Sequence, residues 1–335
     1  MIKLSDIARE MNVSTATISN ALTGKGRMKE ETRRLIREKA QAMGYVLPVP
    51  TVRSNLLLVL TEMNLVTFTG EILGGLTAAA YESGISCAIL DLNILQTGLN
   101  RDATPEQLRP RIDAALDEFG ILPSCIVYIS QYPRSLPKLL IDLPCPTIAI
   151  SCWDTGAQVT VNYDDQQGAH AAVSRLIEQG CKSIMMLSGP VDNYAVSERV
   201  IGYQRALIEH GFPYHPKLVW IGDWEVPSGY TLTKNLLSSA TPPDAVFSQN
   251  DSMAVGAIHA IQEAGLRIPD DISVIGFDDT PFTSWMVPTL SSVAPPFHEM
   301  GRTALQSAKG FMEGKGKEEI LSIPCTVKLR QSTKG

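Results

Sequence analysis

The sequence predicts a small all-α head joined to a larger α/β body built on parallel sheets. Three observations lead there. Basic residues crowd the N-terminus, capping and turn residues punctuate the first 45 positions, and from position 56 short apolar runs alternate with amphipathic stretches. At 335 residues the chain exceeds one ordinary domain, so two or three packed units are expected.

The head comes first. Residues 1–53 carry ten Lys and Arg against five acids, a net of +5 in a chain of formal charge −6, which leaves −11 for the remainder. A small basic head on a large acidic body points to a polyanion-binding module attached to something else. Ser5 is expected to cap a first helix with Ile7, Ala8 and Met11 on one face. Asn12-Val13-Ser14 reads as a turn, and Ser14 as the N-cap of a second helix over 15–22. Thr23-Gly24-Lys25-Gly26 breaks the chain. A third helix is expected over 30–43, with Leu35, Ile36 and Ala40 inward and Gly44 just past its end. Two short helices around a tight turn, supported by a third, make a helix-turn-helix, whose second helix lies in the DNA major groove.

In the body, strand-like runs fall at 56–60, 87–92, 125–129, 147–151, 183–187, 217–221, 245–248 and 273–277. Helices are expected at 71–83, 166–179, 198–210, 229–237 and 252–264, with Gly84, Gly180, Gly211 and Gly265 at or near their ends. Such alternation predicts parallel sheets with helices on both faces. Ligands in these folds bind outside the carboxyl ends of the strands.

Composition removes several classes. With 44% hydrophobic and 19% charged residues, the chain is neither disordered, collagen-like nor a coiled-coil rod. No apolar run approaches the roughly 18 residues of a membrane span, and the first residues lack the apolar core of a secretory leader, so a cytoplasmic protein is expected. The six cysteines form no CxxC pair and the five histidines no HxxxH or HxH pair, so neither a metal nor another cofactor is expected. There is no GxSxG, P-loop or HExxH, and Asp164-Asp165 and Asp278-Asp279 are adjacent rather than opposed across a bond. An enzyme is not expected.

The runs Leu4-Ser5-Asp6-Ile7-Ala8, Val13-Ser14-Thr15-Ala16-Thr17-Ile18-Ser19-Asn20-Ala21-Leu22, Glu31-Thr32-Arg33 and Met43-Gly44-Tyr45 resemble the head of the LacI/GalR family of bacterial transcription regulators. The likeness continues through the body in Val161-Asn162-Tyr163-Asp164-Asp165-Gln166-Gln167-Gly168-Ala169, Ser188-Gly189-Pro190, Glu198-Arg199 with Gly202-Tyr203, Gly222-Asp223-Trp224 with Ser228-Gly229-Tyr230, Asn250 through Gly256, and Ile272 through Thr280. It implies a body of two doubly wound, periplasmic-binding-protein-like subdomains. The expected division is a head over 1–45, a linker over 46–55 and an effector-binding and dimerisation body over 56–335. Within the body, the N-subdomain would hold 56–160 plus 291–319 and the C-subdomain 161–290 plus 320–335.

Carried over position by position, the resemblance implies that Thr15, Ala16 and Asn20 read bases. Ser5, Ser14, Thr17 and Ser19 would contact phosphates or cap helices, and Arg33 and Tyr45 would join the DNA surface. Hydroxyl and amide groups suit both tasks, and Asn can bond an adenine edge bidentately. Arg199, Asn250 and Asp278 fall where the family bonds its effector, Trp224 where an indole stacks on it, and Phe68 where the N-subdomain offers another ring. Ser151-Cys152-Trp153 replaces a common Asp-Arg and brings Trp153 toward the pocket. Ala195, Ser197 and Ala294-Pro295-Pro296 also depart from the family's usual residues, so the effector, a sugar or sugar derivative by resemblance, cannot be copied from a relative.

The implied function is a sequence-specific transcription regulator, a repressor, whose affinity for a palindromic double-stranded operator changes with a small-molecule effector. A homodimer is expected, because one small head contacts too few bases. A solute-binding protein of the same body fold is the alternative, although it has no use for residues 13–22. The linker departs from the family: Pro48 and Pro50 push Leu47 and Val49 toward extended backbone. Residues 51–55 are too few to repay helix nucleation, so an extended tether with no leucine wedge and little operator kinking is expected.

Overall fold

The computed structural model describes residues 3–23, 28, 30–43, 45, 55–62, 67–92, 103–119, 122–239 and 241–335. Three helices make the head: α1 (Leu4–Glu10), α2 (Thr15–Thr23) and α3 (Glu30–Ala42). Asn12 turns the chain between α1 and α2 with φ +53°, a left-handed conformation Asn tolerates. The Ser14 hydroxyl accepts the Thr17 backbone N–H at 3.0 Å, the N-cap bond expected of it. The expected Ser5 cap is corrected. Extended backbone at Lys3 makes Lys3 the cap residue of α1, the Asp6 carboxylate accepts the Lys3 N–H at 2.9 Å, and Ser5 lies inside the first turn. Ile7, Ala8, Ile18, Ala21, Leu22, Ile36 and Ala40 form the head's core. Leu35, expected inward, is 59% exposed, because the buried stripe of α3 runs through Ile36 and Ala40, one turn apart. The linker expectations at Leu47, Val49, Pro48, Pro50 and Val52, and the Gly44 end of α3, lie outside the described residues.

The body opens with β1 (Leu56–Thr61), α4 (Thr67–Glu82), β2 (Ser86–Asp91), α5 (Pro105–Phe119), β3 (Cys125–Ser135), β4 (Thr147–Trp153) and β5 (Val159–Asp164). It continues with α6 (Asp165–Glu178), β6 (Ile184–Ser188), α7 (Tyr194–Glu209), β7 (Val219–Ile221), α8 (Val226–Ser239), β8 (Ala245–Ser248), α9 (Asp251–Glu263), β9 (Ser273–Phe277) and β10 (Ser291–Ala294). It closes with α10 (Phe297–Met312), β11 (Glu319–Pro324) and β12 (Thr326–Lys328). The strands form two six-stranded sheets, β11-β5-β4-β3-β1-β2 and β12-β10-β9-β8-β6-β7. Every pairing is parallel except β10 with β12, which runs antiparallel. The central strands are apolar on both faces, as strands covered by helices on both sides must be.

The chain crosses between the sheets a few residues later than expected at each of three points. β5 stays in the first sheet to Asp164, with Ile150 opposite Val161. β10 belongs to the second sheet, with Ser291 opposite Ile275, and β11 returns to the first, with Leu321 opposite Val161. The divisions at 160/161, 290/291 and 319/320 are therefore corrected to follow Asp164, Ala294 and Pro324. Each strand must run on until its backbone is paired in the ladder it completes.

One apolar cluster spans both subdomains, running from Leu57 and Val59 to Phe247 and Phe277. α10 feeds it with Phe297, Met300, Ala304, Leu305 and Ala308, a helical stripe. Its backbone lies against that of α4: a Cβ on Gly301 would fall 2.0 Å from the Ile72 carbonyl oxygen, and one on Gly75 1.9 Å from that of His298.

Candidate functional site

On α2 the apolar residues Ile18, Ala21 and Leu22 face the head's core. Helical spacing puts Ala16 and Asn20 on the opposite side and Ser19 at its flank, while Thr15 sits in the first turn of the helix. Thr15, Ala16 and Asn20 are exposed and Ser19 is half-buried, while Ser14 at the cap is exposed. Thr17 is half-buried, its hydroxyl 2.8 Å from that of Ser14. Ser5 is exposed on α1, Arg33 half-buried on α3, and Tyr45 packs against the head's core. The expected base-reading residues are thus all exposed on α2, offering hydroxyl, methyl and amide groups from its first turn and its outer face.

The body's cleft is built where β5 ends and α6 begins. Asp164 caps α6, its carboxylate accepting the Gln167 N–H at 2.8 Å. Asp165, 6% exposed, accepts from Arg199 Nε at 2.7 Å. Arg199 is 4% exposed. It also donates to the Gln249 carbonyl and to the Tyr163 hydroxyl at 3.2 Å, and stands 3.8 Å from the Asp278 carboxylate. Its guanidinium carbon lies 3.6 Å above the Phe277 ring centre. Burial lifts the Asp165 carboxyl to about 6 while the Arg199 charge pulls it back. Asp278 is raised chiefly by burial, again opposed by Arg199.

A cavity of about 150 Å³ opens here between the subdomains. The first contributes Trp153, Asn162 and Ser322 to its wall, the second Asp165, Tyr194 and Glu198. Trp153 and Tyr194 meet across it with ring centres 4.0 Å apart. A ligand seated here touches both subdomains, so its binding energy bears on how they are set against each other.

The other expected effector residues surround this region without lining the cavity. Phe68 stacks on Phe297 at 5.4 Å; Phe297 meets Tyr163 edge-on at 5.7 Å. Asn250 caps α9, accepting the Met253 N–H at 2.9 Å and donating to the Trp224 carbonyl at 2.8 Å. The Trp224 indole lies on Gly189, where a Cβ would stand 2.1 Å from it, which explains the glycine of Ser188-Gly189-Pro190. Trp224 and Asp278 hold φ of +75° and +107°, strained backbone of the kind that gathers at functional sites. Asp279 instead binds Lys328 and Arg330, each at 2.6 Å.

Residues 3–47 match the family described as bacterial regulatory proteins, lacI family, and residues 173–333 match the periplasmic binding protein-like domain. The HTH-type transcriptional repressor CytR of Escherichia coli (strain K12) is 30% identical over 340 residues, covering 99% of this chain and 96% of that one. The chain belongs to the LacI family. Catabolite control protein A of Priestia megaterium is 29% identical over 345 residues, with 99% of each chain covered. A solved structure described as a transcriptional regulator CelR–cellobiose complex superimposes with a TM-score of 0.67 at 26% identity, covering 99% of this chain and all of that one.

In this LacI-family chain, of the six expected effector residues only Trp153 lines the cavity. Asn162, Tyr163, Asp164, Asp165 and Glu198 were present in the motifs read from the sequence but not singled out. Tyr194 and Ser322 carried no motif signal. Tyr194 lies one residue after the helix cap Asn193, and Ser322 reaches the cleft only because β11 pairs with β5. Among the described residues no helix is long and apolar enough to cross a membrane.

Proposed function

We propose that this LacI-family protein is a cytoplasmic homodimeric repressor that reads a palindromic operator with α2 and is switched by a small molecule held in the cleft. The working division is a head over 1–45, a linker over 46–55 and a body over 56–335, with no catalytic role. The observation that carries the reading is the cavity shared by the two subdomains on a chain whose α2 leaves Thr15, Ala16 and Asn20 exposed. In the CelR structure the ligand is cellobiose, and a sugar or sugar derivative is the effector class proposed here.

Thr15, Ala16 and Asn20 contact bases; Ser5, Ser14, Thr17, Ser19, Arg33 and Tyr45 position the head. Phe68, Trp153, Arg199, Trp224, Asn250 and Asp278 bind or brace the effector. Arg199 acts from behind the cavity wall, since its guanidinium is engaged by Asp165, Gln249 and Tyr163. A ligand that prefers one setting of the subdomains shifts the spacing of the two heads and so operator affinity.

The test is calorimetry of ligand binding with and without operator, paired with gel shifts on operator and scrambled DNA. Coupling is reciprocal, so ligand affinity must change when operator is bound. Identical affinities, or equal binding to scrambled DNA, would refute the reading. Light scattering at micromolar concentration is expected to show a dimer.

A further inference from the structure

The charges at the cavity wall are all of one sign. Asp164, Asp165 and Glu198 line it, and among the described residues no Lys, Arg or His does. Asp165 is neutralised by Arg199. Among the described residues neither Asp164 nor Glu198 is in an ion pair, and Asp164 is engaged only through the Oδ1 that caps α6. Glu198 titrates upward because it is partly buried and faces Asp164. All three carboxylates line the same cavity as Tyr194, and burial together with the charges of Glu198, Asp165 and Asp164 raises its hydroxyl.

Two further features point to a ligand rich in donors. The Asn162 Oδ1 atom is buried at the wall and accepts no hydrogen bond in the structure. Trp153 and Tyr194 bring aromatic faces beside the carboxylates, and aromatic rings attract cations through their negative faces. A phosphate or carboxylate entering here would meet two unneutralised carboxylates and no cation. An ammonium would meet two charge partners, an acceptor lacking a donor and a ring.

We propose that the ligand taken by this cleft carries a protonated amine on a compact ring, held by Asp164, Glu198, Asn162 and the Trp153–Tyr194 pair. Cavities of about 150 Å³ accommodate a single six-membered ring. The proposal rests on the reading of the cleft as the effector site and narrows its chemistry: amino sugars and ring amines enter, sugar phosphates and sugar acids do not.

The experiment uses the full chain at constant ionic strength and pH 7, with thermal shift and calorimetry. The probes are two matched series, glucosamine, glucose and glucuronate, and galactosamine, galactose and galacturonate, with glucose 6-phosphate and cyclohexylamine added. An amine is expected to bind at least roughly tenfold more tightly than its neutral partner, the scale of one charge-assisted hydrogen bond. Glu198→Gln is expected to remove that preference. Asp164→Asn, which retains a good N-cap, should weaken it without unfolding the protein. A neutral or acidic member binding as tightly as the amine overturns the proposal, as does no amine binding at about 10 mM or a preference that survives Glu198→Gln. Operator affinity in the same samples separates the two claims. An amine that binds without moving operator affinity sinks the effector reading and spares the cation site, whereas an acidic sugar that moves it does the reverse.

Discussion

Arg199 Nε donates to Asp165 Oδ1 at 2.7 Å, with side chains only 4% and 6% exposed. Asp165 opens α6 immediately after the chain leaves the first sheet, and Arg199 lies on α7 of the second subdomain. The pair therefore fixes the junction where one subdomain becomes the other. Asp278 adds a second carboxylate to the same guanidinium at 3.8 Å.

Removing the cation alone leaves buried carboxylates unpaired. Arg199→Met is expected to destabilise the body by about 3–5 kcal/mol, and adding Asp165→Asn should recover part of that loss. Urea unfolding of the single and double variants measures it. Equal stability of Arg199→Met and the wild type would show that the pair contributes nothing to the junction.

The pH dependence has a definite sign. The Asp165 carboxyl sits at about 6 in the folded chain against an ordinary 3.8, so between those values the folded state holds more protons than the unfolded one. Its contribution to stability is fully present below about 3.8 and is lost as pH rises through about 6. Asp251, also buried, is shifted the same way. Asp165→Asn should flatten the fall of the urea midpoint between pH 4.5 and pH 7; an unchanged slope would remove Asp165 as its source.

The crossing of α4 and α10 tolerates no side chain at Gly301, because the atom it would strike, the Ile72 carbonyl oxygen, is backbone. Gly301→Ala is expected to cost about 1–3 kcal/mol through overpacking. Gly310, on the same helix, has nothing nearer than 3.7 Å to an added Cβ, so Gly310→Ala should be neutral or gain up to about 1 kcal/mol from helix propensity. Thermal melts of the two variants moving in the same direction by the same amount would contradict the packing argument.

Asn250 has a structural duty apart from any ligand. Asn250→Ala deletes both the α9 cap and the bond to the Trp224 carbonyl, a loss of about 1–2 kcal/mol. Asn250→Asp keeps the acceptor for Met253 and should cost less at the cap. If Ala were no worse than wild type in denaturant, the residue would belong to ligand binding alone.

Reading and capping on α2 separate in the same way. Asn20→Ala should relax preference at one operator position by about 1–3 kcal/mol if its bond is bidentate. Ser14→Ala removes the cap of α2, costs the head about 1 kcal/mol and weakens all sequences alike. Binding to a panel of single-base operator variants distinguishes them, and uniform loss for Asn20→Ala would take it out of the reading set.

Local patterns in the sequence were sufficient for the three helices of the head, apart from the α1 cap and the facing of Leu35, and for most of the body. The turn at Asn12, the Ser14 cap and the Ile18, Ala21 and Leu22 stripe act within a few residues of one another, so the sequence displays them directly. The same holds for β8 and β9, whose apolar runs end where their turns begin. The apolar stripes of α5 and α10 are equally local. What adjacency could not disclose are the strands defined by distant partners. β11 exists as a strand because Leu321 lies opposite Val161, and β12 because Val327 lies opposite Val293; neither has a strong pattern of its own. Burial and charge pairing followed from those long-range contacts. Arg199 was visible as a motif, but its engagement by Asp165, Gln249 and Tyr163 was set by three separate segments converging. The sequence determined which helices and central strands form, because those depend on spacing along the chain. Only the tertiary structure decided which acids share one cavity and which cation is already taken, because electrostatics depends on distance through space.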